Sequence, residues 1–181
     1  MNGFEIDGLD GVAVDISQTE GVDSVGRWKR TFRTIEATLK DICEPEVCEK
    51  ILDKMASAVS ALATYGDTNE DLVLEIAQLY IFSKEANVDA ETFENAFGTK
   101  VVQAINLLNQ DLDSNDKLNL IFENHEFAFL NKIKLAEYIA DLAINNYSEE
   151  EIDEIDLVIK NFEGRTQKGL MKKLVEERNK L

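Results

Sequence analysis

Residues 69–85, NEDLVLEIAQLYIFSKE, decide how the chain is read. Leu72, Leu74, Ile76, Ala77, Leu79, Tyr80, Ile81 and Phe82 place apolar side chains on almost every side of a helix. Surface helices keep a polar face, so a helix without one belongs at the centre of a helical domain. Working outward, Trp28, Phe32, Ile35 and Leu39 recur at helical spacing. Arg27, Arg30 and Lys40 lie on the other face, and Asp23-Ser24 is a candidate cap. Pro45 ends that helix or opens the next as its first residue. A second helix over about 46–64 carries the stripe Val47, Ile51, Met55, Val59 and Leu62, with small residues (Ala56, Ser57, Ala58, Ser60, Ala61, Ala63) turned toward the third helix.

Downstream, residues 87–98 read as a short capped helix ending near Gly98, and 100–109 as an apolar helix. Asp111 to Asp116 reads as a polar turn. It superficially suggests a calcium loop but lacks the sixth-position glycine and has Phe122 where the twelfth-position glutamate belongs. Helices follow over 117–123, from Phe127 to about Ile144, from the capping box Ser148-Glu149-Glu150-Glu151 to Phe162, and over 165–181. The start differs: Phe4 to Asp7 and Val12 to Ser17 alternate around Gly8-Leu9-Asp10-Gly11, so 1–22 reads as an acidic arm or small hairpin. The expectation is an all-α, compact multi-helix domain over 23–164, this arm before it and a basic helix, 165–181, after it. One proline and nine glycines in 181 residues leave little punctuation for an all-β design.

Nineteen Lys and Arg stand against 36 Asp and Glu, a net charge of −17, so duplex nucleic-acid binding, which needs a basic footprint, is not expected. The charge is segregated. Residues 1–23 contribute −6, 24–43 contribute +3, 44–161 contribute −17 and 162–181 contribute +3. Two basic helices therefore flank an acidic body, either paired with it or turned toward a partner. The candidate partner surface comprises Arg27, Lys29, Glu149, Glu150, Glu151, Asp153 and Glu154. The dense carboxylates of 149–156 could alternatively imitate a nucleic-acid backbone.

Cys43 and Cys48 flank Pro45 and, with the single distant His125, cannot assemble a four-ligand zinc site. Free thiols with packing roles are expected, in a reducing cytoplasm. No apolar run approaches the roughly 20 residues that cross a bilayer, and the acidic start carries no secretory pattern. No nucleophile elbow accompanies His125, and neither the Walker-type nor the dinucleotide-type glycine loop occurs. No cofactor and no metal are expected.

IAQLYIFSKEANVDAETFENAFGTKVVQAINLL followed by DKLNLIFENHEFAFLNKIKLAEYIADL resembles the HD-domain superfamily, and most nearly the RelA/SpoT-type domain that hydrolyses (p)ppGpp. The resemblance covers about residues 45–145. It rests on Glu94-Asn95-Ala96-Phe97-Gly98 and Lys134-Leu135-Ala136-Glu137-Tyr138, with Met55-Ala56-Ser57-Ala58-Val59 resembling the family's upstream H-P-x-x-V segment. It implies an HD-like helical core with an altered site: the metal-ligand positions hold Met55, Tyr80, Ile81 and Glu137. The family's E-D pair becomes Lys84-Glu85 and its asparagine becomes Asp141. One carboxylate cannot hold a catalytic divalent ion, so the resemblance implies a non-catalytic protein whose old metal cavity is filled with apolar bulk and which binds a protein partner. The alternative is a residual phosphohydrolase or guanine-nucleotide binder, with Lys134, Arg30 and Arg33 as candidate phosphate contacts.

Overall fold

A computed structural model describes residues 26–68, 70–110 and 114–181. Nine α-helices occur among them: α1 (Arg27–Ile42), α2 (Pro45–Tyr65), α3 (Asp71–Ala86), α4 (Glu94–Phe97), α5 (Thr99–Leu108), α6 (Ser114–Phe122), α7 (Leu130–Ala143), α8 (Glu149–Phe162) and α9 (Lys168–Arg178). A 3-10 turn, Ala90–Phe93, leads into α4. The fold is all-α, as the periodicity predicts. The arm or hairpin expected over 1–22 and the Asp23-Ser24 cap lie outside the described residues.

Helix α3 is central, and every residue from Val73 to Ser83 is buried. It packs between α1 on one side and α2 on another, with α5 against it as well. The most extensive helix–helix association among the described residues is α2 with α7. Ala58 and Ala61 on α2 and Ala136 and Ala140 on α7 are all buried, and side chains this small let two backbones approach. Ala56, Ser60 and Ala63 are instead exposed, so only part of the small-residue set of α2 faces inward. Val47 too is exposed, and Cys48 takes the inward position in the first turn of α2.

The helix ends follow local chemistry. Pro45 stands in the first turn of α2, where its missing N–H costs nothing. The Nζ of Lys132 on α7 donates to the Gly66 carbonyl and the Thr68 hydroxyl, both at 3.1 Å, placing a cation at the C-terminal end of α2. The capping box of α8 forms as written: the Glu151 N–H donates to Ser148 Oγ at 3.2 Å, and the Ser148 N–H donates to Glu151 Oε2 at 2.9 Å. Three boundaries differ from expectation, the first being α9, which runs Lys168–Arg178 and not 165–181. Ser114 to Asp116 form the first turn of α6, not a loop. Residues 126–129 form a turn before α7, its Phe127 N–H donating to the Asn124 side chain at 2.7 Å.

Helix α8 buries Ile155, Val158 and Phe162 in the common core. Phe162 stacks on Phe122 of α6 with ring centroids 4.5 Å apart, and Arg178 of α9 makes a forked pair with Asp156 at 2.8 and 2.9 Å. Helix α9 buries Leu170, Met171 and Leu174 against α7 and α2, so the basic C-terminal helix shares the common core. Its first turn touches the end of α2 closely. A Cβ on Gly169 would stand 2.2 Å from the Tyr65 carbonyl oxygen.

Gly169→Ala is therefore expected to force α9 off α2 and to cost about 1–3 kcal/mol, the range for overpacking a closed contact. Urea unfolding checks this: the midpoint should fall with an unchanged slope, and an unchanged midpoint would contradict the contact.

Candidate functional site

Lys54 lies three residues beyond Ile51 and four before Ala58, both buried, so helical spacing turns it inward with them. Glu137 and Asp141 are one turn apart on α7, and Tyr80 and Lys84 one turn apart on α3. Because α2, α3 and α7 pack together, these groups converge on a single buried cluster. Lys134 joins from the preceding turn of α7.

Glu137 is the hub. Its Oε2 accepts from the Tyr80 hydroxyl at 2.6 Å and from Lys134 Nζ at 2.8 Å. Its Oε1 accepts from Lys84 Nζ and, at 3.4 Å, from Lys54 Nζ. A carboxylate offers about four lone-pair sites, and all are engaged. Lys54 also pairs with Glu85 at 2.6 Å and Asp141 at 2.8 Å. Toward α8, Lys134 and Lys84 each come within 3.9 Å of a carboxylate, Glu154 and Glu151 respectively, and the Tyr138 hydroxyl donates to Glu154. The Lys134 ammonium also lies 4.8 Å from the Tyr138 ring centre, a cation–π distance.

The electrostatics follow from this closure. Burial alone would raise the Glu137 pKa, but Lys134, Lys84 and Lys54 overcome it and hold the carboxyl well below its usual range. Burial works against the Lys54 ammonium, and Glu137, Asp141 and Glu85 more than offset it, so Lys54 remains charged. Asp141 is the exception: burial and the nearby Glu137 charge push it up to about 7 against the pull of Lys54. Burial, and then the Glu137 carboxylate, also holds the Tyr80 hydroxyl protonated as a donor.

A second buried carboxylate stands apart from this cluster. Glu75 on α3 accepts from the Thr31 hydroxyl at 3.3 Å and pairs with Arg27 at 2.8 Å, both from α1. Burial raises it to about 7 despite Arg27. Its Oε2 has no partner among the described residues, and neither polar atom of Gln78, one turn on and fully buried, has one there.

The four candidate metal positions come together only in part as expected. Met55 and Ile81 are buried and apolar, whereas Tyr80 and Glu137 are hydrogen-bonded to each other. The expected apolar filling is corrected here: the space around Glu137 holds ammonium groups from three helical positions. Lys134 as a phosphate contact is also corrected, since it is enclosed and committed to Glu137. Arg30 and Arg33 stand on α1, which packs on α3 and α2, not beside Lys134 on α7.

Three members of the expected partner surface are used internally. Arg27 pairs with Glu75, Glu151 closes the capping box, and Glu154 receives Tyr138. Lys29, Glu149, Glu150 and Asp153 remain exposed. Among the described residues no group of three or more His, Cys, Asp or Glu side chains is placed to hold a metal ion. His125 is exposed in the turn before α7.

No family model, curated protein or solved structure matches this chain.

Glu137→Gln would leave the enclosed Lys54 and Lys134 ammonium groups, and the partly open Lys84, facing a neutral amide. A loss of about 3–5 kcal/mol is expected, the cost of breaking a buried ion cluster from one side. Chemical denaturation measures it, and a loss below about 1 kcal/mol would show that the cluster is not closed in solution.

The pH dependence has a defined sign. Asp141 and Glu75 bind protons more tightly folded than unfolded, so their contribution falls as pH rises from about 4 to about 7 and then levels. Glu137 acts oppositely: its stabilisation is present above its unfolded value near 4.5 and is lost as pH falls through the lower, folded value. Stability should therefore peak at mildly acidic pH and decline toward pH 7 by a few kcal/mol, since each tenfold change in proton affinity on folding is worth about 1.4 kcal/mol. Asp141→Asn combined with Glu75→Gln should flatten that decline, read as unfolding midpoints across pH 4 to 8.

Proposed function

We propose that this chain is a non-catalytic, HD-like protein that acts by binding a protein partner, as a regulator or inhibitor. The observation that carries the reading is the saturation of Glu137. The one carboxylate at a candidate metal position already accepts from four donors of its own chain, so it has no lone pair for a divalent ion and no open position for an attacking water. Three ammonium groups hold the charge that a metal would supply, and they are fixed in place by Glu137, Asp141 and Glu85. Such a cluster holds the scaffold together and leaves substrate nothing to coordinate.

Binding is supported by how the surface charge is distributed. The basic C-terminal helix is largely neutralised within the chain: Lys173 and Lys180 pair with Glu177, and Arg178 pairs with Asp156. On α1 the balance differs. Arg27 pairs with Glu75 and Lys40 with Glu36, while Lys29, Arg30 and Arg33 make no ion pair among the described residues. Arg33 lies three residues beyond Arg30 and four beyond Lys29, so these three share one face, beside the half-buried Trp28 and Phe32. A basic stripe edged by aromatic rings suits an acidic protein surface, and the exposed Glu149, Glu150 and Asp153 on α8 suit a basic one.

Two measurements test the reading. Incubation with ppGpp and simple nucleotides in manganese should give no turnover, and hydrolysis that a chelator abolishes would contradict it. Affinity capture from the native host should retain a specific protein. The Lys29→Glu, Arg30→Glu, Arg33→Glu triple variant should lose that protein at least about tenfold, a change of about 1.4 kcal/mol or more. Equal capture by both chains would remove α1 from the interface.

A further inference from the structure

The junction of α1 and α2 carries both cysteines of the chain in a specific geometric relation. Glu44 is the N-cap of α2 and Pro45 its first helical residue, so Cys43 stands one place before the cap and Cys48 at the fourth helical position. Those two positions are where side chains meet across a helix start in the hydrophobic staple. The backbone holds both in place. The Cys43 N–H donates to the Leu39 carbonyl and the Cys48 N–H to the Glu44 carbonyl, each at 2.9 Å. Extended backbone at Cys43 (φ −122°, ψ 152°) and at Glu44 (φ −62°, ψ 147°) turns the chain back over the first turn of α2.

Both cysteines are free thiols and line one groove of about 320 Å³, together with Lys40, Pro45, Glu49, Leu52 and Asp53. Cys43 is half-buried and Cys48 is 5% exposed, so the groove gives a reagent access to the Cys43 thiol, with Cys48 in the lining of the same groove.

We propose that Cys43 and Cys48 form a reversible thiol–disulfide site, closed into an intramolecular bond by a low-molecular-weight disulfide such as oxidised glutathione. The chemistry balances in two exchanges. The Cys43 thiolate attacks one sulfur of the glutathione disulfide, forming a mixed disulfide and releasing one glutathione thiolate. Cys48, losing its proton to solvent, attacks the Cys43 sulfur and releases the second glutathione. The protein is oxidised by two electrons and the co-reactant is reduced by two. The bond ties the end of α1 to the first turn of α2.

Burial, and then the neighbouring Cys48, raises the Cys43 pKa. The thiolate is the reactive form, so the first exchange should keep accelerating as pH climbs beyond the ordinary thiol range. The bond closes a short loop, so it depends on local geometry rather than on the rest of the fold.

The test is intact-mass analysis of the full chain after incubation with oxidised glutathione, followed by peptide mapping. The expected product has lost two hydrogens, carries no glutathione and is in at least about tenfold excess over any adduct, because the second thiol is held at a high effective concentration. Cys48→Ser should retain a single glutathione on Cys43, with its helical circular dichroism unchanged. Wild-type protein that keeps one or two glutathiones, forms intermolecular disulfides, or stays unmodified overturns the proposal. The wild-type result stands without the variant, since mapping locates the bond directly.

Discussion

Four donors converge on the Glu137 carboxylate, and the centre of the bundle is arranged around that fact. Taking a carboxylate and the Lys54 and Lys134 ammonium groups out of water is costly, and only mutual attraction at hydrogen-bond distance offsets it. The offset requires α2, α3 and α7 to stand at fixed separations, because Lys54, Tyr80 and Lys84 reach Glu137 from two of these helices and Lys134 from the turn before it. Replacing such a cluster with well-packed apolar side chains is often neutral for stability, whereas removing one partner leaves buried charge uncompensated. A rotation of any one helix would strand a charge.

The close approach of α2 and α7 makes this convergence possible. Buried alanines on both helices bring the backbones near enough for a lysine on α2 to reach two carboxylates one turn apart on α7. Lys132 completes the same contact at the other end by capping the C-terminus of α2. Helix α8 extends the network outward. It buries Ile155, Val158 and Phe162 in the common core and is further joined by the Tyr138–Glu154 bond, the Phe122–Phe162 stack and the Asp156–Arg178 fork. The charge cluster therefore grades from enclosed at Lys54 and Lys134 to partly open at Lys84, Glu85 and Glu151.

Of the positions compared in the proposed HD resemblance, Tyr80, Lys84, Glu85, Glu137 and Asp141 share one cluster, whereas Met55 and Ile81 are buried apolar side chains. Met55 and Ile81 suggest apolar bulk, yet Lys54, next to Met55, supplies an ammonium. The spacing of Lys54 to Ile51 and Ala58 is a readable signal that it faces inward. What spacing cannot supply is its partners, which lie 31, 83 and 87 positions away in sequence, at Glu85, Glu137 and Asp141.

The sequence by itself determined the all-α class, the central place of residues 73–83 and the capped start of α8, since these depend on periodicity and on chemistry within a few residues. It also determined the segregation of charge along the chain. Only the tertiary structure decided which charges are buried, which acids share a lysine, and that Arg27, Glu151 and Glu154 are structural while Lys29, Arg30 and Arg33 stay unpaired among the described residues. The reason is range: a helix declares its own faces every three to four residues, but an ion pair between helices depends on their separation and rotation, which no local pattern encodes.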